Sequence, residues 1–485
     1  MAISIVEGKK IDRIATATEN MAQFLGAIAD GRGSLKVQSW SGLRELVRLN
    51  MHTRIPVRDQ FEAERESNLT ASKGDSTGIS AVSVDIPKFL NAVGEAHEGI
   101  YEATFDGAVW HKENGENIIL SDYGLSVTGT PVKGDHIIVT ETTKKIILDV
   151  MDHNKLVSTG KKSIVLGAHD VFTYGTIPLS APQLLYYTEN GMAAGNYCFR
   201  LNHGAYGGST GQDLVSGHYY GFTLSQAITA KGGFKHSAIG AYQSSYNTSQ
   251  ILNGKITTYG PAPDRTVIES NISVIEITDT TGYTDLGTFT ARDAQYSTDT
   301  TAHNFTERNA YGTNRYKHFA ARQYLNSDAP SDWWTAQNVF DMPPVGRNLP
   351  GFLYGLDPAL VKVLGRAEIV TAMPDPDRTA GEATSEILYD KVFLFSMTEL
   401  GWGNNISIAE GSKLAYYDGA TNADRIKREG STARYWWLRG PYPGSANHVR
   451  IVNTGGSLDN LVAYNAYGLV PGLVITDEPD NPALA

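Results

Sequence analysis

A chain of 485 residues is long enough for about three domains, each able to bury its own core. Its hydrophobic share of 41% and aromatic share of 10% belong to folded, β-rich globular domains and exclude a disordered chain. A net charge of −11 and an isoelectric point near 5.6 exclude a general nucleic-acid binder, which needs a basic surface to neutralise phosphates.

The N-terminal segment has apolar residues at Ile11, Ile14, Met21, Leu25 and Ile28, with Thr18 filling the gap. This alternating three-four spacing predicts a helix with a heptad seam, stopped by Gly31, Gly33 and Ser34. So short a helix is marginal alone, so it either self-associates or lays its stripe on a neighbouring domain. It lacks a basic stretch followed by an apolar core, and no run of about 18 apolar residues occurs anywhere, which predicts a chain made in a cytoplasm with no membrane insertion. A second helix is expected over residues 41–50, with Ser41 and Glu45 close to capping-box spacing, followed by extended chain around Pro56.

Strand-like runs follow at 79–86, 99–105, 108–112, 125–127 and 136–140, with turns at 106–107, 113–115 and 133–135. That spacing predicts a small β-sandwich over residues 65–143. Residues 144–155 (KKIILDVMDHNK) read as a further strand. Alternating strands and turns then predict an antiparallel, jelly-roll-like β-sandwich over 144–264. Its strands are KSIVLG, LLYYTEN, GNYCFRL, HYYGFTLSQAI and FKHSAIGAY, with a hairpin-like turn at Asn190-Gly191 and a boundary at residues 261–264. The single cysteine, Cys198, excludes an intrachain disulfide framework and lies in an alternating strand as an inert, part-buried thiol. His153 beside Asp152 and His169 beside Asp170 are weak metal-ligand candidates, because strand neighbours point to opposite faces and no third ligand is suitably spaced. The loop at 207–211 is Gly-rich but lacks the GK[ST] ending of a phosphate-binding loop.

Residues 265–476 are expected to form the last domain, with 477–485 as a flexible tail. Helices are expected at 316–325 and 357–364, the latter with Pro358 in its first turn, and a buried strand at 391–395. Apolar runs at 435–438 (YWWL) and 469–475 read as two buried strands. Between them, residues 440–467 are almost entirely Gly, Ser, Asn, Tyr, Thr, Asp and small aliphatics, a composition suited to adaptable polar contact. The pattern is a rigid frame with a polar display. Arg439 and Arg322 are expected to close structural ion pairs or stack on aromatic faces, and Asp341, Glu399 and Asp390 carry no sign of forming a catalytic acid and base.

This C-terminal pattern resembles phage and prophage virion proteins with a C-type-lectin-like domain of the formylglycine-generating-enzyme subtype, several of them diversified by retroelements. The residues that carry the resemblance are Asn314, Arg315, Tyr316, Ala321, Arg322, Gln323, Leu325, Asn326, Ser327, Trp333, Trp334, Phe340, Asp341 and 351–353. The DKVFLFS strand and the YWWLR and AYNAYG blocks continue it. Adenine-directed mutagenesis of codons such as AAC never yields Lys, Glu, Gln, Met or Trp, and residues 440–475 contain none of these five. In this family a segment like 39–61 leads directly into a strand like 144–155, which implies that 65–143 is inserted. Residues 109–139 resemble short modules common in phage structural proteins, either an attachment module or a spacer.

The resemblance implies a multidomain, mainly β protein with an α+β, C-type-lectin-like C-terminal domain, and residues 1–64 as an oligomerisation or docking segment. It implies a virion adhesin that binds a host-surface or environmental ligand, protein or glycan, alongside other virion proteins and as a homotrimer. The ligand-binding residues expected are Tyr442, Ser445, Asn447, His448, Arg450, Asn453, Thr454, Asp459, Asn460 and Leu461, exposed on one face above buried Trp436, Trp437 and Leu438. No catalytic residue, metal or cofactor is expected, since the enzyme of this fold uses a redox cysteine pair that the chain lacks. A head or tail decoration protein with purely structural contacts is the alternative, and a glycan-acting enzyme the least favoured.

Overall fold

The computed structural model describes residues 39–85, 88, 102–181, 183–201, 205–206, 217–236, 241–242, 255–289, 312–337, 339–374, 383–405, 408–442 and 448–477. The expected N-terminal heptad helix and the Gly-rich loop at 207–211 lie outside them. The protein is mainly β, with several separate sheets, as its strand-rich composition predicts.

Helix α1 (Trp40–Arg48) forms one residue ahead of expectation, because Ser39 is the cap. Its hydroxyl accepts from the Gly42 N–H at 3.1 Å, and Trp40, Leu43, Leu46 and Val47 turn inward. Strand β1 (Gln60–Ser72) pairs antiparallel with β2 (His136–His153) along nearly its whole length. Strand β2 also pairs with β3 (Ser163–Ala168). Both long strands run straight through the boundaries expected near residues 64 and 143, so the insert shares its sheet with the rest of the chain. Its own small core, which includes Ile79, Trp110, Leu125 and Ile137, lies beyond the shared stretch.

Strand β4 (Val392–Leu394) pairs with β8 (Pro471–Thr476), and β8 pairs with β3, so one eight-stranded sheet unites both ends of the described chain. Every residue of β3 and β8 is buried. The main core therefore draws on α1, residues 146–179 and residues 316–475 together. Residues 144–179, expected in the middle domain, belong to this C-terminal core, because β3 and β8 supply each other's backbone partners across some 300 residues of sequence.

Between them lies a separate module with a core of Tyr197, Phe199, Tyr220, Phe222, Phe234 and Ile256. Two four-stranded sheets share it, and three features differ from expectation. Residues 261–264 are a turn rather than a boundary, since Lys255–Tyr259 and Val267–Ser273 pair antiparallel on either side. Asn190-Gly191 does not close a hairpin, since Tyr186–Thr188 pairs with Gly232–His236 and Gly195–Leu201 with Tyr219–Leu224. The sandwich is not wholly antiparallel either, because Gly195–Leu201 also pairs parallel with Thr284–Phe289. Cys198 is fully rather than partly buried, and burial raises its thiol pKa.

The expected helix over 316–325 is a 3₁₀ turn (Tyr316–His318) followed by α2 (Ala320–Leu325). Helix α3 (Pro358–Val361) is shorter than expected, with Asp357 as its cap and Pro358 in its first turn.

His153, considered beside Asp152 as a metal ligand, instead packs against His52. The imidazoles of His52 and His153 lie 5.7 Å apart, and His52 Nε2 bonds Asn154 Oδ1 at 2.9 Å. Burial lowers both pKa values, and His52 lowers that of His153 further. The unfolded chain, with histidines near 6.5, therefore binds more protons than the folded one once the pH drops below that value. Stability should hold above about pH 6.5 and fall below it by up to about 1.4 kcal/mol per pH unit for each proton taken up. Denaturant titrations at several pH values should show this slope flattened in the His52→Gln/His153→Gln double variant.

Candidate functional site

The display is built on a three-stranded antiparallel sheet: β5 (Trp436–Pro441), β6 (His448–Val452) and β7 (Leu458–Val462). All of β5 is buried, including Trp436, Trp437 and Leu438 as expected. Its apolar run also carries Arg439, fully buried and closed bidentate on the fully buried Glu399, with both N–O distances 2.7 Å. The same guanidinium donates to the carbonyls of Leu394, Val370 and Glu410. Arg322 likewise closes on Asp390 at 2.7 Å. Both arginines are structural, and Asp341, bonded to Gln183 and Gln337, is engaged apart from them.

In β6 the side chains alternate: Val449 and Ile451 are buried, while His448 and Arg450 are half-buried on the opposite face. Strand β7 follows in register, Asn460 opposite Arg450 and Leu461 opposite Val449. This alternation divides the ten residues expected on one exposed face. Tyr442, His448, Arg450 and Asn460 are half-buried, and among the described ones only Thr454 and Asp459 are exposed. Leu461 packs on the main core, and Asp459 lies on Leu461's side of the strand. Asn453 is spent on the turn, its Oδ1 accepting from the N–H groups of Gly455 and Ser457 at 3.0 and 3.1 Å. Gly456 completes that turn at φ +80°, where a Cβ would lie 1.8 Å from the Asn422 carbonyl oxygen. Ser445 and Asn447 lie outside the described residues.

The structure does bring Tyr442, His448 and Arg450 together. The Arg450 guanidinium stacks over the Tyr442 ring at 4.8 Å, and that ring meets His448 edge-on at 6.2 Å. The Tyr442 N–H donates to the His448 carbonyl at 2.8 Å, and the buried Asn314 amide donates to the same oxygen. Burial lowers the pKa of His448, which favours its neutral form.

Two supports beneath this group were not foreseen from the sequence. Buried Asn405 donates to the Pro441 carbonyl at 2.7 Å and accepts from Arg450 Nε at 3.4 Å. Glu410, fully buried, accepts from the Ala372 N–H, and burial raises its carboxyl pKa. Its Oε2 approaches the backbone of Gly440 so closely that a Cβ there would lie 2.4 Å away. Asn405 and Arg450 are 45 residues apart, and no local pattern signals their meeting.

Elsewhere, a cavity of about 390 Å³ is lined by Arg322, Asn326, Trp333 and Asp390, among others. Arg322 and Asp390 satisfy each other, and the Asn326 amide bonds the backbone of Arg322, Lys391 and Val392. His169 bonds Asp149 at 2.8 Å rather than neighbouring Asp170. Among the described residues no group of three or more His, Cys, Asp or Glu side chains could hold a metal ion, and no helix is long and apolar enough to cross a membrane.

A family described as a domain of unknown function (DUF6273) matches residues 293–477, which takes in β4 to β8 and the whole display. No curated protein and no solved structure gives a match.

Proposed function

We propose that this chain is a phage virion adhesin that binds a host-surface or environmental ligand through the face formed by Tyr442, His448 and Arg450 with Asn460. One observation carries the proposal. A fully buried strand, β5, pairs alongside β6, and half-buried aromatic, imidazole and guanidinium groups converge from β6 and the chain just before it. Aromatic and arginine side chains dominate interface energetics, and a rigid base lowers the entropy lost when they are engaged. The lack of the five codon-excluded residue types over 440–475 suits a diversified binding segment.

The test is binding of the labelled full chain to intact bacterial cells, before and after combined alanine substitution of Tyr442, His448 and Asn460. Binding should fall at least tenfold while the midpoint of denaturation changes little, since substitutions away from the core are usually mild. Absence of cell binding by the unaltered chain, with normal incorporation into particles, would favour a decoration protein instead. Collapse of folding in the variant would show that these residues are core.

A further inference from the structure

In the C-terminal core, buried Arg425 lies over the Trp402 ring at 4.5 Å and donates to the Leu400 carbonyl, while Arg439, Arg322 and Arg315 are each matched to a carboxylate, of Glu399, Asp390 and Glu386 respectively. Arg450 is not. It is half-buried, and its contacts among the described residues are the Tyr442 ring on one side and Asn405 Oδ1 at Nε. Its two terminal nitrogens meet no hydrogen-bond acceptor among the described residues. A guanidinium partly withdrawn from water without an anion is costly to maintain, and an anion of the ligand would offset that cost. The one carboxyl that influences it, Glu410, makes no ion pair with it and is held by the Ala372 N–H.

The geometry points to Arg450 as the seat for a carboxylate of the ligand, and so to an acidic glycan as what the display binds. This rests on the adhesin reading above. With Nε turned inward to Asn405, the Nη1 and Nη2 edge remains, and two parallel N–H donors match the two oxygens of a carboxylate. A single guanidinium balances one negative charge, which suits a carboxylate better than a doubly charged phosphate. The neighbours favour a sugar over an acidic peptide. Asn460 lies opposite Arg450 on the same face with an amide suited to hydroxyl groups, and the Tyr442 ring supplies a flat aromatic surface. The chain's net charge of −11 repels anions at long range, so recognition has to come from this local contact.

The experiment is calorimetric titration of the full chain with three acidic oligosaccharides: tri-galacturonate, a hyaluronan hexasaccharide and sialyl-lactose. Their methyl esters and a hexaglutamate peptide serve as comparisons. At least one of the three sugars should bind. Arg450→Gln and esterification of the sugar should each weaken binding at least tenfold, and Arg450→Lys should restore only part of it because it lacks the planar fork. Denaturation curves of both variants verify that they fold. No binding of any acidic sugar, or binding indifferent to Arg450→Gln, overturns the proposal. Hexaglutamate bound in place of the sugars overturns the glycan assignment. Cell binding that survives carbodiimide amidation of surface carboxylates overturns the carboxylate proposal but leaves the adhesin reading intact, whereas absence of cell binding removes that reading itself.

Discussion

Glu399→Ala should destabilise the C-terminal core by about 3–5 kcal/mol, the usual cost of stranding one member of a buried ion pair. Glu399 and Arg439 are both inaccessible to water and meet through two 2.7 Å hydrogen bonds. Removing the carboxylate leaves a guanidinium that cannot reach solvent and cannot lose its proton. The carbonyls of Leu394, Val370 and Glu410 would still accept from it, but none supplies a negative charge. Removing both charges is a different matter. A Glu399→Leu/Arg439→Met variant should recover much of the loss, since well-packed apolar replacements of buried pairs are often neutral or better. Denaturant unfolding of the single and double variants checks this. A double variant as unstable as the single would show that the carbonyl bonds of Arg439, rather than its charge pairing, hold β5 in place.

Trp436→Ala should also cost about 3–5 kcal/mol, by leaving a large cavity at the base of the display. The two adjacent tryptophans further differ in a way that milder substitutions should expose. Trp436 Nε1 donates to the Arg425 carbonyl at 3.0 Å, whereas Trp437 Nε1 is buried with no hydrogen-bond partner among the described residues. Trp436→Phe loses ring volume and also leaves a buried carbonyl short of its donor, an added cost of about 1–3 kcal/mol. Trp437→Phe loses volume but removes a donor that was already unsatisfied, so it should be clearly the milder change. Thermal and denaturant unfolding of the two variants decides the order. Equal losses would mean that packing alone governs this strand.

The display was only partly legible in the sequence, for a physical reason that β6 and β7 make plain. Composition marked residues 440–467 as polar and adaptable, and the run YWWL marked the strand beneath as buried. Composition has no face, however. Once β6 pairs with β7, strict alternation turns His448 and Arg450 one way and Val449 the other, and places Leu461 with Val449 on the core side. The turn at Asn453 shows the same limit, since an Asn fits ligand contact or an Asx turn equally well until the backbone closes around it.

By itself the sequence determined the kinds of element. The apolar runs of β3, β4, β5 and β8 could only be buried, Asp357 with Pro358 opens a short helix, and strand-rich patterning dictates a mainly β protein. These signals are local, because burial and backbone preference act on neighbouring residues. Only the tertiary structure decided which elements meet. It paired β3 with β8, carried β1 and β2 across the expected boundaries, made the proline-rich 261–264 stretch a turn inside a sheet, and set Asn405 under Arg450. Each of these contacts joins residues whose own neighbourhoods would accept other partners. Their choice follows from satisfying every buried backbone group and filling one shared core at once, conditions that exist only when the chain is folded as a whole.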